Sequence, residues 1–364
     1  MQWARQRMAL NSDARTNDVA LSLHGSARVF GLRAFAQDVE LSSRLCFQLE
    51  DVVVDDSAPW VGNPTSDDFG DFCTRCSQRV SVGAGYGLFV LPSSDDDSSA
   101  LGEVRLRVAL RDCTTLTPLS AAEPQPMQLV IDHAAWVPPP PGMVMRLPLT
   151  IVLASPIAFE SEPALLQAAL QRARSVWLPA GIDLDFADPI EIDPPASAVE
   201  YSTADRRSLS LLAHRARAAL PAQASERAWP VVVIAPCLRR TDVVTSKRSE
   251  PLATTPHIPS GSGVYDEADM IFVAGERCAG LEPAPNFSDA TTLGVLIAHE
   301  LGHFLGLYHV LEADGRADAL HDTESDALNL MRAVPSASAL ELTPSQIRVV
   351  RRQIPFAGSA TPPP

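Results

Sequence analysis

The stretch TTLGVLIAHELGHFLGLYHV, residues 291–310, decides what kind of fold the second part of this 364-residue chain adopts. Its first turns are apolar on most sides, so we expect a helix buried inside a domain rather than one on a surface. Asp289 or Thr291 can cap the amino end of this helix. Gly306 can end it, because glycine accepts the positive φ at which a chain leaves a helix sharply.

This apolar helix nevertheless carries three polar side chains, those of His299, Glu300 and His303. His299 and His303 are four residues apart, so their imidazoles lie on one helix face, one turn above the other. His309, three residues beyond Gly306, can turn back to supply a third imidazole. Three imidazoles fill three corners of a zinc tetrahedron and leave the fourth open, which is typical of a catalytic site. Burying these side chains without a metal would be costly.

The complete pattern, H-E-x-x-H-x-x-G-x-x-H, resembles the zinc-binding signature of the metzincin metallopeptidases. That clan has a methionine in a tight turn beneath the metal, and Met331, within 328–332, fits this role. The resemblance implies peptide-bond hydrolysis by water, with no covalent acyl-enzyme. It also implies zinc as the cofactor, Glu300 as the general base, and three metal ligands, namely His299, His303 and His309.

Within the clan, the sequence is most similar to the pappalysin group. The similarity rests on HELGHFLGLYH and on a downstream pattern that includes Asp322, Thr323, 329–331 and Gln346. It extends over about residues 145–355. The cysteines usual between the third histidine and the Met-turn are absent, and no tyrosine follows the methionine of that turn. The metal-ligating tyrosine of the astacin and serralysin groups therefore has no counterpart here.

The pattern of apolar residues divides the chain into two parts at a run of four prolines, 138–141, which forms a stiff extended spacer. Strict alternation, as in 103–110, predicts strands before this run and an all-β, sandwich-like domain over 1–137. After a linker at 138–144, strands alternate with helices over 145–357. The expected fold class is therefore α/β (α+β): a metzincin-like domain with a mixed, largely parallel sheet and an active-site helix. Residues 358–364 form the expected disordered tail.

Two features of the metzincin resemblance concern regions around the metal. A peptide substrate is expected to lie antiparallel to an edge strand of the sheet, which we place at 261–269. Asp314, Asp318 and Asp322 crowd the stretch before the Met-turn and could bind calcium through carboxylate oxygens, as the pappalysin resemblance suggests. A solvated acidic loop would have the same sequence.

The six cysteines are divided four and two between the two parts of the chain, which suits disulfides and an oxidising compartment. Cys237 and Cys278 each follow a predicted strand, so a disulfide between them is plausible. The other four have the ligand count of a structural zinc site, although the second C-x-x-C of such sites is missing; they are Cys46, Cys73, Cys76 and Cys113. The first residues lack the apolar core of a signal peptide, so either the protein stays inside the cell or its targeting segment is absent from this sequence. The cysteine pairing and the usual habit of the metzincin clan favour export, which is what we expect.

Composition narrows the class of function. The net charge of −15, spread along the chain, makes a nucleic-acid partner improbable, since phosphate binding needs clustered Lys and Arg. The sequence contains no uninterrupted run of about 18 apolar residues, so it predicts no membrane-spanning helix. The leading hypothesis is a zinc endopeptidase acting on a protein or peptide substrate. The alternatives are a latent processing protease with one dedicated substrate, and a binding or adhesion module that keeps its zinc site with little turnover. Glu300 favours an enzyme, because a binder needs no base.

Overall fold

The chain divides into two compact units, one formed by Met1–Pro139 with His309–Thr323 and the other by Pro140–Tyr308 with Glu324–Pro364. The computed structural model describes residues 4–23, 27–36, 45–55, 80–81, 85–92, 101–113, 115–117, 119, 128–154, 159, 163–195, 198–202, 205–221, 230–242, 246–260, 270–278, 287, 289–312, 315–318, 320–323 and 327–357. The tail predicted at 358–364 lies outside them.

The first unit contains two antiparallel sheets. Strands β1 (Ala4–Ala9), β3 (Val29–Ala36), β5 (Tyr86–Leu91) and β7 (Gln128–Trp136) form a sheet in the order β1-β7-β3-β5. Strands β2 (Val19–Ser22), β4 (Leu45–Val54) and β6 (Glu103–Asp112) form a second sheet in the order β2-β6-β4. All neighbouring strands in both sheets run antiparallel.

One apolar core receives side chains from both of these sheets. Phe30 and Ile131 come from the four-stranded sheet, whereas Phe47 and Leu106 come from the three-stranded one. Along β6, the apolar side chains are buried and Glu103 is exposed, which confirms the strand predicted from alternation at this position.

A disulfide joins Cys46, in β4, to Cys113, directly after β6. Both thiols are therefore consumed, and a four-cysteine zinc site that includes them is wrong. The other two cysteines of that hypothesis, Cys73 and Cys76, lie outside the described residues. In the second unit, Cys237 is bonded to Cys278, as the sequence suggested.

The second unit is built on a mixed sheet. Its strands are β8 (Met145–Leu153), β9 (Ile182–Phe186), β10 (Ile190–Glu191), β12 (Val231–Ala235), β15 (Ala253–Thr254) and β16 (Met270–Ala274), in the order β10-β8-β12-β16-β15 with β9 also paired to β8. Every pair is parallel except β15 with β16. The central strands β12 and β16 are wholly buried, as expected of parallel strands covered on both faces.

A small separate sheet contains β11 (Val199–Ser202), β13 (Leu238–Thr241) and β14 (Arg248–Ser249) in the order β11-β13-β14. These strands and β15 have two to four residues each and no clear alternation, so their sequences gave no strand signal. The predicted edge strand at 261–269 lies outside the described residues. Within the described part, the edge of the mixed sheet next to β16 is β15.

Within its described residues, the second unit also contains four α-helices: α1 (Pro163–Trp177), α2 (Arg207–Ala219), α3 (Ala290–Phe304) and α4 (Pro344–Ala357). They alternate with strands, which confirms the predicted α/β class. Helix α4 begins with a capping box, since Thr343 Oγ1 accepts from the backbone N–H of Gln346 while Gln346 Oε1 accepts from that of Thr343. Among the described residues, none of the helices has both the length and the apolar character that a membrane crossing requires.

Helix α3 carries the motif and is buried from Leu293 to its last residue. Asp289 caps it, accepting a 2.7 Å hydrogen bond from the backbone N–H of Thr292, a bond that lowers the pKa of the Asp289 carboxyl. Helix α1 packs against it so closely that a Cβ at Gly294 would lie 2.5 Å from the carbonyl oxygen of Ala169. Close packing on a glycine thus fixes the position of α3.

Candidate metal centre

Three histidines converge at the carboxyl end of α3. His299 and His303 lie in its last turns, and His309 follows shortly after its end. One ring nitrogen from each of the three lies within 4.8 Å of the other two. Within the part of the chain that the structure describes, no other group of three or more His, Cys, Asp or Glu side chains comes together in this way.

The reversal that brings His309 back is a helix-ending motif at Gly306, which has a φ of 90°. The backbone N–H of Gly306 donates to the carbonyl of His303, and that of Leu307 donates to the carbonyl of Gly302, both at 2.9 Å. This pair of bonds is the Schellman pattern, in which a left-handed residue satisfies the last carbonyls of the helix. The expectation that Gly306 ends the helix with a positive φ is confirmed.

Backbone carbonyls orient the two histidines on the helix. Nδ1 of His299 lies 2.7 Å from the carbonyl oxygen of Leu330, and Nδ1 of His303 lies 2.7 Å from that of Leu307. A carbonyl oxygen can only accept, so each Nδ1 carries the hydrogen and donates it. A neutral imidazole with its hydrogen on Nδ1 has its lone pair on Nε2, and this is the nitrogen that binds a metal.

The third histidine is oriented by a side chain. Nδ1 of His309 lies 3.0 Å from Oε2 of Glu312, which likewise acts as the acceptor. Glu312 is held by a tight turn, since its backbone N–H donates to the carbonyl of Arg316 at 2.8 Å and its carbonyl accepts from Gly315 at 2.9 Å. All three imidazoles are therefore presented in the tautomer that a metal requires. Three imidazoles are a donor set that suits zinc.

Met331 lies in a turn beneath the helix and is fully buried. The turn is shaped by Asn329, whose Oδ1 accepts from the backbone N–H of Met331 at 2.8 Å, while its amide exchanges hydrogen bonds with that of Gln346. A Cβ added at Gly302 would collide with Sδ of Met331, so the thioether packs directly on the helix beside His303. The same turn supplies the Leu330 carbonyl described above.

Glu300 is buried on α3, next in sequence to the first histidine. Its Oε2 accepts a 2.7 Å hydrogen bond from Oγ1 of Thr255, which also lies 3.0 Å from the Glu300 carbonyl oxygen. The charge of Glu300 also acts on Tyr201: burial raises the pKa of the Tyr201 phenol, a hydrogen bond with Thr254 lowers it, and the charge of Glu300 raises it by a smaller amount. Sequence reasoning missed both residues, since neither belongs to a motif.

The chain that follows β15, residues 255–260, lies against α3 and its exit. The backbone N–H of Ser260 donates to the carbonyl of Phe304 at 3.0 Å. The hydroxyl of Tyr308 donates to the carbonyl of Ile258 at 3.2 Å. The segment that carries Thr255 is thereby attached to the helix that carries the histidines.

A buried histidine attaches the same segment to the start of α2. Arg206 donates through Nη1 to the carbonyl of Pro256 at 3.0 Å and contacts Nε2 of His257 at 3.1 Å. Burial lowers the pKa of His257 well below its ordinary value, and the positive charge of Arg206 lowers it further. His257 is therefore neutral and accepts from the guanidinium.

The acidic residues before the Met-turn do not come together as a metal site within the described residues. Asp314 lies outside those residues. The carboxylate of Asp318 accepts from the hydroxyl of Thr323 and, at 3.2 Å, from the backbone N–H of Leu320. Burial, with a smaller contribution from the charge of Asp322, raises the pKa of Asp318 to about 6, against the effect of these bonds. Calcium binding here stays a prediction.

Comparisons with known proteins were made by sequence and by structure. No protein-family model and no curated protein matches the chain. Metalloproteinase-II from Bacteroides fragilis is 12% identical, with a TM-score of 0.34, and the match covers 58% of this chain and 55% of that one. A zinc-dependent peptidase from Methanocorpusculum labreanum is also 12% identical, with a TM-score of 0.30, over 58% of this chain and 96% of that one.

A chaperone–substrate complex matches at 9% identity and a TM-score of 0.31, covering 58% of this chain and 34% of that one. The chain thus spans about half the length of the Bacteroides protein. It spans about a third of the length of the matched chain in the chaperone–substrate complex. TM-scores of this size do not establish a common fold. The chemistry of the metal centre therefore rests on its own residues.

Proposed function

We propose that this protein is a zinc-dependent endopeptidase. The observation that carries the proposal is the convergence of three correctly oriented imidazoles beside a buried carboxylate on the same helix. His299, His303 and His309 would hold the metal, and Glu300 would act on the water that attacks the substrate. A site built only to hold zinc would have no use for that carboxylate.

Different residues of this chain would carry out different parts of the reaction. When bound, zinc supplies Lewis acidity, which makes a water molecule more acidic and polarises a carbonyl group. Glu300 accepts a proton from the attacking water and returns it to the leaving amine. The buried surroundings of Glu300 keep bulk water from competing for that proton. Met331 and its turn hold the helix from below, through Gly302 and through the Leu330 carbonyl.

The arrangement of the second unit supports a finer proposal, a metzincin-type domain of the pappalysin group. The features in its favour are a parallel sheet with an antiparallel edge strand, a motif helix ended by glycine, a buried methionine turn, and a final helix. A peptide substrate would pair with β15, which ends the strand order of this sheet within the described residues.

Two further proposals concern the domain formed by the first unit and the cellular location of the protein. Residues 1–137, with two antiparallel sheets around one core, would form a β-sandwich-like domain that precedes the catalytic one. Among the described residues each unit contains one disulfide, a bond expected in an oxidising compartment, and we propose an extracytoplasmic protein.

The test compares the full-length protein with Glu300→Gln and with the matched control Glu191→Gln, which changes an exposed glutamate on β10. Metal content and cleavage of a denatured protein mixture are measured for each. We expect about one zinc per chain in all three proteins, with cleavage lost by at least about 100-fold only in Glu300→Gln. Absence of zinc from the wild-type protein, or full cleavage by Glu300→Gln, would refute the proposal.

A further inference from the structure

We infer that Thr255 is a positioning residue for the general base: its hydroxyl fixes the rotamer of Glu300 relative to the helix that carries the metal ligands. This inference rests on the peptidase function proposed above. It concerns a residue 45 positions upstream of Glu300, outside the metal-binding motif.

The two acceptors of the Thr255 hydroxyl belong to one residue. Oγ1 lies 2.7 Å from Oε2 of Glu300 and 3.0 Å from the carbonyl oxygen of the same residue. A hydroxyl has a single hydrogen to donate. The carbonyl lies within a helix, where carbonyls already accept from the N–H four residues on. The charged carboxylate is the stronger and nearer acceptor, so the hydroxyl donates its hydrogen chiefly to the side chain of Glu300.

The hydroxyl is itself held in place. Threonine is β-branched and therefore stiff about χ1. Thr255 directly follows β15, whose register with β16 pairs Thr254 with Phe272. On its other side, Ser260 and Tyr308 bind the chain to the end of α3. Backbone contacts on both sides thus place the Thr255 side chain.

This arrangement connects two parts of the proposed active site. Among the described strands, β15 is at the edge of the sheet on which a peptide would pair, and the next residue holds the base. A substrate that pairs with β15 would therefore meet a carboxylate whose position is set by the same segment. Losing the hydroxyl should impair the chemical step while leaving substrate affinity nearly intact, because the base would be misplaced and the edge unchanged.

The kinetic test compares Thr255→Val, which has the same shape without the hydroxyl, with Thr255→Ser, which keeps it. Thr150→Val, a buried threonine on β8, is the matched control. With zinc content equal in all proteins, we expect kcat of Thr255→Val to fall by about 10- to 100-fold and KM to change by less than about twofold. Thr255→Ser should stay within about threefold of wild type. Unchanged kcat in Thr255→Val, or an equal loss in Thr255→Ser, would overturn the inference.

A second measurement does not depend on turnover. Thermal unfolding of the zinc-loaded full chain is compared for wild type, Thr255→Val, Glu300→Ala and the double variant. If the hydroxyl holds the carboxylate, Thr255→Val should lower the Tm by about 2–4 °C in the wild-type background and by much less in Glu300→Ala. An equal loss in both backgrounds would show that the hydroxyl stabilises the protein through the Glu300 carbonyl and not through the Glu300 carboxylate. That result would overturn the inference. A protein that cleaves nothing would refute the proposed function, and the unfolding cycle would still decide the role of Thr255.

Discussion

The two histidines on the helix and the histidine beyond it are held in different ways. His299 and His303 donate to backbone carbonyls, those of Leu330 and Leu307, whereas His309 donates to the side chain of Glu312. Backbone partners come with the fold and no substitution can remove them. A side-chain partner can be lost by one substitution, and it has rotamer freedom that must be restricted before it orients anything.

Burial follows the same division. His299 and His303 are 2% and 6% exposed, while the side chains of His309 and Glu312 are 22% and 31% exposed. The helix pair is surrounded by close-packed atoms, including the thioether on Gly302. The loop histidine borders solvent. The comparison indicates that His309 is the most adjustable of the three histidines, and the predictions below test this.

The largest effect should come from removing a ligand of either kind. His303→Ala and His309→Ala should each weaken zinc binding by on the order of 100- to 1,000-fold, because each removes about a quarter of the coordination energy. In zinc-free protein the two should differ: His303→Ala leaves the buried Leu307 carbonyl without this donor and should cost about 1–3 kcal/mol of unfolding free energy.

His309→Ala should cost less than about 0.5 kcal/mol under the same conditions, since its side chain is partly exposed. Zinc affinity by chelator competition and urea unfolding in EDTA measure the two quantities. Equal destabilisation by both variants would remove the distinction between the helix pair and the loop histidine.

The next effect concerns Glu312. Glu312→Ala should weaken zinc binding by about 10- to 100-fold, because His309 loses the carboxylate that fixes its ring and increases its basicity. Glu312→Gln keeps an acceptor without the charge and should lose less. Glu191→Ala, on exposed β10, is the control and should bind zinc as the wild type does. Wild-type affinity in Glu312→Ala would mean that the ring is oriented by something else.

Replacing the glycine between the two kinds of histidine should have a smaller effect. Gly306→Ala introduces a Cβ at a φ of 90° and should cost about 1–2 kcal/mol of unfolding free energy. Gly142→Ala, at a φ of 81° with open space around it, carries the same strain away from the metal centre. Only Gly306→Ala should also weaken zinc binding, as chelator competition would reveal. Equal zinc affinity in the two variants would mean that the conformation of Gly306 does not determine where His309 lies.

The last effect is a pH dependence in the loop beyond His309. The folded-state pKa of Asp318, about 6, lies above its ordinary value near 4, so the favourable contribution of its neutral form is complete below pH 4 and is lost as pH rises through 6. Asp318→Asn stays neutral and keeps an acceptor for the Thr323 hydroxyl. In EDTA it should match wild type near pH 4 and be about 2–3 kcal/mol more stable at pH 8, since each unit of pKa difference corresponds to about 1.4 kcal/mol.

The same pair of proteins tests calcium. If Asp318 were a calcium ligand, added calcium would raise the Tm of the wild type and not that of Asp318→Asn. Unfolding curves at pH 8, with calcium and with EDTA, give both results. Greater stability of the wild type than of Asp318→Asn in EDTA would contradict the pH argument.

Much of the second unit could be predicted because its signals are local. Helices α1 and α3, the strands β9 and β16, and the caps at Asp289 and Thr343 follow from periodicity and from side chains within a few positions. The short strands β11 and β13–β15 could not be predicted, since two to four half-exposed residues carry no periodicity. Strand β1, rich in arginine, gave no apolar pattern either.

The sequence by itself determined which atoms can share a metal. A four-residue spacing places His299 and His303 on one helix face, and a glycine three residues later allows the chain to turn back with His309. Only the tertiary structure decided what holds those atoms in position. The Leu330 carbonyl, the Thr255 hydroxyl and the Met331 thioether reach α3 from 29 to 45 residues away in the chain. Spacing along a helix follows from backbone geometry alone, whereas contacts over such separations depend on how separate elements pack.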